Sequence, residues 1–299
     1  MTAAARRQRL AGLAFLAPAL AYVLLFFGYP LVKNVVMGFQ DYTVSSFWTG
    51  EAPFVGLANY RAVLADPQFW PTVGRTAVFV LASLVFQFGI GLALAVFFVR
   101  EFPLGSLIRS LMLLPWLLPL VVSASVWRWI FDQDNGVLNL FLRTTGLIGS
   151  PIGWLTSTQW SLTAVIITNI WIGIPFNLVL LHGGLQAVPT SLLEAAALDG
   201  AGPWRRFWHV SWPLLRPVTQ VTLTLGLVYT LKVFDVIAVL TSGGPASSSQ
   251  TLTLWSYKLS FTDFAFGQGA AVGNLLIVLA VALGLLYVRS ARAELRGAA

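Results

Sequence analysis

The chain is 299 residues long, 57% hydrophobic and only 10% charged, against roughly 45–50% and about 25% in ordinary soluble domains, which argues against a water-facing fold. It contains no cysteine, and therefore no disulfide framework, thiol nucleophile or thiolate zinc site. Its net charge of +7 comes from basic residues scattered between long apolar runs; a nucleic-acid partner needs them gathered on one soluble face, so membrane lipid is expected and nucleic acid is not.

A helix crossing hydrocarbon needs about 20 apolar residues, and six stretches meet that requirement, near 10–32, 76–99, 107–130, 160–184, 218–240 and 268–288. The first follows Arg6, Arg7 and Arg9 and is longer than the ~7–15-residue core of a signal peptide, so it reads as an uncleaved helix. With the N-terminus inside, the inner segments hold eleven arginines: Arg6, Arg7, Arg9, Arg100, Arg109, Arg205, Arg206, Arg216, Arg289, Arg292 and Arg296. The remainder holds seven basic residues, and this bias places both termini in the cytoplasm. The charge outside is balanced, which gives no reason to expect an anionic solute.

Between the first two spans, residues 33–75 carry Pro53, Pro67 and Pro71 with the aromatics Phe47, Trp48 and Trp70, and read as an ordered cap with a short helix around Asn59–Ala65. Residues 131–159 open on the turn-forming run Asp132-Gln133-Asp134-Asn135-Gly136 and continue as an apolar stretch to Leu142, the pattern of a surface helix. Residues 186–217 are too long for a turn and too patterned for a linker. There Thr190 or Ser191 is positioned to cap a helix carrying Glu194, Ala195, Ala196 and Ala197; the alanines leave one flank smooth for a protein surface to approach. Gly200 permits a turn that a side chain resists. A second short helix is expected from Pro203 to Trp208, with proline at a first-turn position.

Glu194-Ala195-Ala196, Gly200 six residues after the glutamate, and Val210-Ser211-Trp212-Pro213 resemble the signature loop of the permease subunits of binding-protein-dependent ABC importers of the carbohydrate-uptake type. The family usually has isoleucine and leucine where Val210 and Trp212 stand. Phe54-Val55-Gly56-Leu57-Ala58-Asn59-Tyr60, Trp171-Ile172-Gly173-Ile174-Pro175, and Phe234-Asp235-Val236-Ile237 followed by Leu240-Thr241-Ser242-Gly243-Gly244-Pro245 are similar to further family segments. The resemblance therefore covers most of the chain. It implies an all-α membrane protein with six transmembrane helices and the type I ABC importer permease fold, a multi-pass component of a prokaryotic cell membrane. Residues 1–299 then form one transmembrane permease domain, with 186–217 as its cytoplasmic coupling loop. The implied partners are a second, distinct permease, two ATPase subunits that bind ATP and Mg, and an extracytoplasmic solute-binding protein. Carried over by position, Glu194, Ala195, Ala196, Asp199, Gly200 and Pro213 belong to the element that engages the ATPase.

Lys232 and Asp235, three residues apart in the fifth stretch, are expected on one face of a continuous helix, partly neutralising each other. An isolated charge at the bilayer centre costs about 2.5–3.5 kcal/mol on insertion scales, so both are expected toward the protein interior. They then either border the solute path or lock two helices together. In the fourth stretch, Asn169 and Asn177 flank Gly173, while Thr230 neighbours Lys232. The resemblance implies that Asn169, Gly173, Thr230 and Lys232 contact a carbohydrate, and Asn177 and Asp235 are placed along the same path by their positions, with Trp171 and Tyr229 as flat apolar surfaces. Gln87 fits either that path or interhelical packing. His182 and His209 read as interfacial and loop residues, because two histidines without cysteine make a poor metal site.

Lys33, Lys232 and Lys258 are the three lysines, none in a Gly-Lys-Ser/Thr context, so the sequence has no phosphate-binding loop and no cofactor is expected in this chain. Neither HExxH nor GxSxG occurs, which disfavours an intramembrane enzyme. A secondary transporter using Lys232 and Asp235 for ion coupling is the closest competing class, and it leaves residues 186–217 unexplained.

Overall fold

The computed structural model describes Leu13, residues 15–100 and residues 102–297, with only the backbone described for 286–288 and 290–297. Arg6, Arg7, Arg9, the beginning of the first apolar run and Glu101 lie outside the described residues. The described chain is helical, and its one β feature is an isolated antiparallel bridge between Gln40 and Phe54.

In chain order, α1 (Phe15–Met37) contains a π-helical turn at Leu24–Gly28, and is followed by α2 (Val44–Thr49) and α3 (Ala58–Ala65). Next come the thirty-residue α4 (Phe69–Phe98) and the short pieces α5 (Gly105–Leu111) and α6 (Leu114–Leu117). These lead into α7 (Leu120–Ile130), α8 (Val137–Thr144) and α9 (Ser161–Gln186). Then follow α10 (Thr190–Leu198), α11 (Pro203–Arg206) and α12 (Trp212–Leu231). The chain closes with α13 (Asp235–Leu240), α14 (Leu252–Phe261) and α15 (Phe266–Gly297).

Among the described residues, α1, α4, α9 and the Phe266–Leu285 part of α15 are long and apolar enough to cross a membrane. A fifth span is counted when Gly105–Leu117 and Leu120–Ile130, bent by 99° at their junction, are taken together. Two of the expected continuous helices are therefore broken. At 107–130 the cause is Pro119, because its ring drives the preceding residue out of the helical region, and Leu118 lies at φ −73°, ψ 142°. At 218–240 the helix stops at Leu231 and resumes at Asp235. Pro213, Arg216, Pro217, Gln220 and four threonines also make α12 less apolar than a typical span.

The chain forms two compact units, one of the residues up to Phe69 with Trp255–Ile277, the other of Trp70–Leu254 with the residues from Val278 onward. Within the first unit a polar knot stands in for apolar packing. Asn34 Nδ2 donates to Asn274 Oδ1 at 2.9 Å, and Asn274 Nδ2 donates to the Tyr60 hydroxyl at 2.9 Å. The knot has room because position 38 is glycine, where a Cβ would stand 2.7 Å from the Tyr60 oxygen.

The second unit has two apolar clusters spaced along α4 and α9. Phe79, Val80, Ala164, Val165 and Ile172 gather with Ala124, Val236 and Ile237 in one; Ala95, Phe98, Leu178, Leu181, Leu185 and Leu215 form the other. Outward-facing positions such as Val78, Leu81 and Val85 are more than half exposed, which suits contact with hydrocarbon rather than water.

Residues 131–159 are organised around Asn139, 2% exposed. Its Nδ2 donates to the carbonyls of Gln133 (3.0 Å) and Ile152 (2.8 Å), while its Oδ1 accepts from Ile152 N–H (3.2 Å) and Trp154 Nε1–H (3.0 Å). The expected turn and the surface helix, α8, both form here. Asn139→Leu strips all four groups of a partner at once, so a loss on the order of 3 kcal/mol is expected, read as a lowered midpoint of thermal unfolding in detergent.

Candidate functional site

The two helix breaks line the same cavity. An open cleft of about 380 Å³ is walled by Trp116, Leu118 and Leu120 at the first break and by Lys232 and Val233 at the second, with contributions from α4, α9 and α12. Non-helical backbone at membrane depth is tolerated only where it is buried in protein or faces such a cavity. The Leu231 carbonyl, freed where α12 ends, accepts a hydrogen bond from Thr253 Oγ1 at 2.9 Å. Asp235 occupies the first turn of α13, where the positive end of the helix dipole favours a carboxylate.

From α9, Asn169, Gly173 and Phe176 face the cleft, at a spacing that puts them on one side of a helix. Gln87 reaches across from α4, and its Nε2 donates to the Asn169 backbone carbonyl at 2.8 Å. That approach depends on Gly173, where a Cβ would lie 2.5 and 2.6 Å from the Gln87 carboxamide nitrogen and oxygen. The Asn169 side chain is 5% exposed, and its Nδ2 has no hydrogen-bond partner among the described residues. Aromatic rings supply the flat surfaces. Phe176 meets Tyr229 edge-on at 5.5 Å and Trp116 at 6.1 Å, and the Lys232 ammonium sits 4.8 Å above the Tyr229 ring.

Of the path residues named from sequence, Asn169, Gly173, Thr230 and Lys232 are brought together on this cleft, and Asn177 and Asp235 are not. Asn177 is buried, donates to the Gly173 carbonyl at 2.9 Å, and packs against Gly91 of α4, where a Cβ would stand 2.5 Å from its own. Lys232 and Asp235 do not share a helix face, because the break at Val233 and Phe234 separates them. Among the described residues no ion pair joins them, and Lys232 is exposed to the cleft rather than enclosed. Trp171 packs into the core, edge-on to Trp127 at 5.8 Å. Trp116 and Phe176 line the cleft in its place, and only the two prolines flanking Trp116 mark the first break in the sequence. His182 is buried rather than interfacial: its Nε2 lies 2.9 Å from Arg109 Nη1 and 3.1 Å from the Phe98 carbonyl oxygen.

The segment 186–217 has the opposite character. No residue of α10 is buried, and Leu198 is 90% exposed. The helix starts after Pro189 with no side-chain cap, so neither Thr190 nor Ser191 has the expected capping role. It ends on Asp199 with Gly200 at φ +79°. Ala201 N–H bonds the Ala196 carbonyl at 2.9 Å and Gly200 N–H the Ala197 carbonyl at 3.0 Å, the paired closure that requires a left-handed residue after the helix. Glu194, Ala195, Leu198 and Asp199 stand exposed beside it. The second short helix does not end at Trp208 as expected. It passes from α11 through a π turn, Phe207–Ser211, directly into α12, and along it Trp204 meets Trp208 edge-on at 5.7 Å and Trp208 meets Trp212 at a tilt at 5.5 Å. Pro213 lies in the first turn of α12, where it lacks the N–H an uninterrupted α-helix would use.

Two broken helices around one cleft, with an exposed helical segment between α9 and α12, mark the chain as a membrane permease. The chain belongs to the family described as the binding-protein-dependent transport system inner membrane component, whose model matches residues 87–293. It is thus the permease subunit of an ABC importer, a multi-pass inner-membrane transport component rather than an enzyme. The ion-coupled alternative falls with that membership. The sulfoquinovosyl glycerol transport system permease of Agrobacterium fabrum is 32% identical over 287 residues, covering 96% of this chain and 92% of the relative. The trehalose/maltose transport system permease of Thermococcus litoralis is also 32% identical over 287 residues, covering 96% and 95%. In fold, the chain is similar to a subunit of a crystallised bacterial ABC transporter involved in import of the acidic polysaccharide alginate, with a TM-score of 0.82 at 22% identity and 96% of both chains covered.

A side chain at Gly200 must adopt a left-handed backbone at about 1–2 kcal/mol. Gly200→Ala is therefore expected to speed hydrogen exchange at the Ala201 amide roughly five- to thirtyfold, with amides in the middle of α9 unchanged.

Proposed function

We propose that the chain carries a carbohydrate across the membrane through the cleft between α4, α9, α12 and the two helix breaks, as one half of a heterodimer with a second permease. Six crossings are made when α5–α7 count as one and α12 with α13 as another, and both termini are cytoplasmic. The cytoplasmic side is then the side of 186–217, with Arg205, Arg206 and Arg216, in keeping with the bias of basic residues toward the inside. Two ATPase subunits bind ATP and Mg, and an extracytoplasmic solute-binding protein delivers the solute.

The observation that carries this reading is the convergence of both breaks on one cleft lined by aromatic rings and amides, the mixture that recognises sugar rings and their hydroxyls. Carbohydrate as the solute class draws on the relatives, whose names specify sulfoquinovosyl glycerol, trehalose and maltose. Asn169, Gly173, Thr230 and Lys232 are the residues assigned to the path, with Asn177 packed behind Gly173. Glu194, Ala195, Ala196, Asp199, Gly200 and Pro213 form the coupling element. Its exposed, smooth helix fits into a cleft of the ATPase, and closure of the ATPases turns the cavity from inward to outward access.

The test is the assembled importer in nanodiscs with its ATPase and binding protein. Glu194→Arg is expected to leave assembly intact while binding-protein-stimulated ATP hydrolysis drops to the unstimulated level and uptake stops. Stimulated hydrolysis and uptake equal to wild type would remove the coupling role from α10.

A further inference from the structure

The polar groups on the cleft are unevenly matched. Its one charged lining residue among those described is Lys232, and no aspartate or glutamate joins it. The Lys232 ammonium rests on the face of Tyr229 at 4.8 Å, a cation–π contact that holds it against the wall while its N–H donors remain available to whatever fills the space. Asp235, the obvious counter-ion from sequence, is removed by the break in the helix. A second donor points the same way: Asn169 lines the cleft, is 95% buried, and leaves Nδ2 without an acceptor. An unpaired buried donor is unfavourable, and an acceptor on a ligand in the cleft would complete the Asn169 amide while a negative charge there would match Lys232.

Neutral sugar hydroxyls are already served by the amide and hydroxyl groups of Gln87, Asn169 and Thr230, which accept as well as donate, and they leave the Lys232 charge unmatched. An anionic group has oxygen lone pairs and nothing to donate. From this imbalance we infer that the cleft is built for a saccharide bearing an anionic substituent, a carboxylate or a sulfonate, with Lys232 as its counter-charge and the Asn169 amide as a second donor. The inference rests on the proposed translocation of carbohydrate through this cleft and narrows it to a charge class. It reverses the expectation drawn from the balanced charge of the outer segments, which concerns surfaces a solute passes and not the cavity that holds it.

The test uses the complete importer with its own ATPase and binding protein in proteoliposomes. It follows ATP-driven uptake of radiolabelled digalacturonate, a sulfoquinovose glycoside and maltose. Uptake of either acidic sugar in preference to maltose is expected. Lys232→Gln should lower that uptake roughly ten- to a hundredfold, the loss of a charge-assisted hydrogen bond, while Lys232→Arg retains most of it. Uptake of maltose with neither acidic sugar carried overturns the charge class and leaves the carbohydrate reading standing. Acidic-sugar uptake by Lys232→Gln equal to wild type overturns the role of Lys232. Failure to carry any of the three overturns the carbohydrate reading and this inference with it.

Discussion

A backbone in hydrocarbon has no water to bond with, so each N–H and C=O must find a partner within the protein. That constraint decides where this chain is free to depart from a helix, and among its described apolar runs it departs at Leu118–Pro119 and at Lys232–Phe234. Both border one cleft. Threonines from elsewhere in the chain complete the bonding: Thr253 Oγ1 satisfies the carbonyl where α12 ends, and Thr76 Oγ1 accepts from Leu252 N–H at the start of α14. A solute path through a helical bundle needs polar groups at membrane depth, and helix breaks supply them where lipid does not reach.

The same accounting separates the two functional regions. Space is made by small residues for larger polar groups: Gln87 crosses over Gly173 to the Asn169 carbonyl, and Asn177 packs over Gly91 while donating to the Gly173 carbonyl of its own helix. In 186–217 nothing in α10 is buried, and apolar side chains such as Leu198 and Trp204 face outward. A leucine that is 90% exposed at the end of an otherwise well-closed helix contributes nothing to the stability of this chain alone. In the proposed function, the ATPase covers that surface.

Hydropathy made the apolar runs legible, and the spacing of Glu194, Ala195, Ala196 and Gly200 made the exposed segment legible, because transfer energy and left-handed backbone are properties of local sequence. Helix continuity was not. The spacing of Lys232 and Asp235 implies a shared face only if the helix between them is intact, and nothing in Val233-Phe234 announces the break. Helix rotation was equally hidden. Where a helix is apolar all round, as α9 nearly is, pattern does not say which side meets the protein, so Trp171 packs into the core and Asn177 turns toward α4. Pro119 did carry its signal, through the restriction it places on Leu118.

The covalent order of the chain ties the two regions together. The cleft wall on α9 at Gly173 leads down to Gln186, a run of about 20 Å at 1.5 Å per residue, and directly into α10. From the far end of that segment, α12 climbs about 25 Å from Trp212 to Tyr229 and the second break. The two helices are in close contact just above the segment, where a Cβ on Gly184 would strike Leu215 at 2.6 Å and Val218 at 3.0 Å. In the proposed function, a displacement of α10 therefore acts on both walls of the cleft at their shared base. The π turn at Phe207–Ser211 is the irregular part of that lever, the kind of helix defect that recurs at functional sites. With α9 joined to α10 by only Ala187–Pro189, and α12 continuous with the π turn, a push on α10 has a short path into α9 and an irregular joint on the way into α12, so the walls need not move alike. Unequal movement of two walls is what opens a cleft to one side of a membrane while closing it to the other.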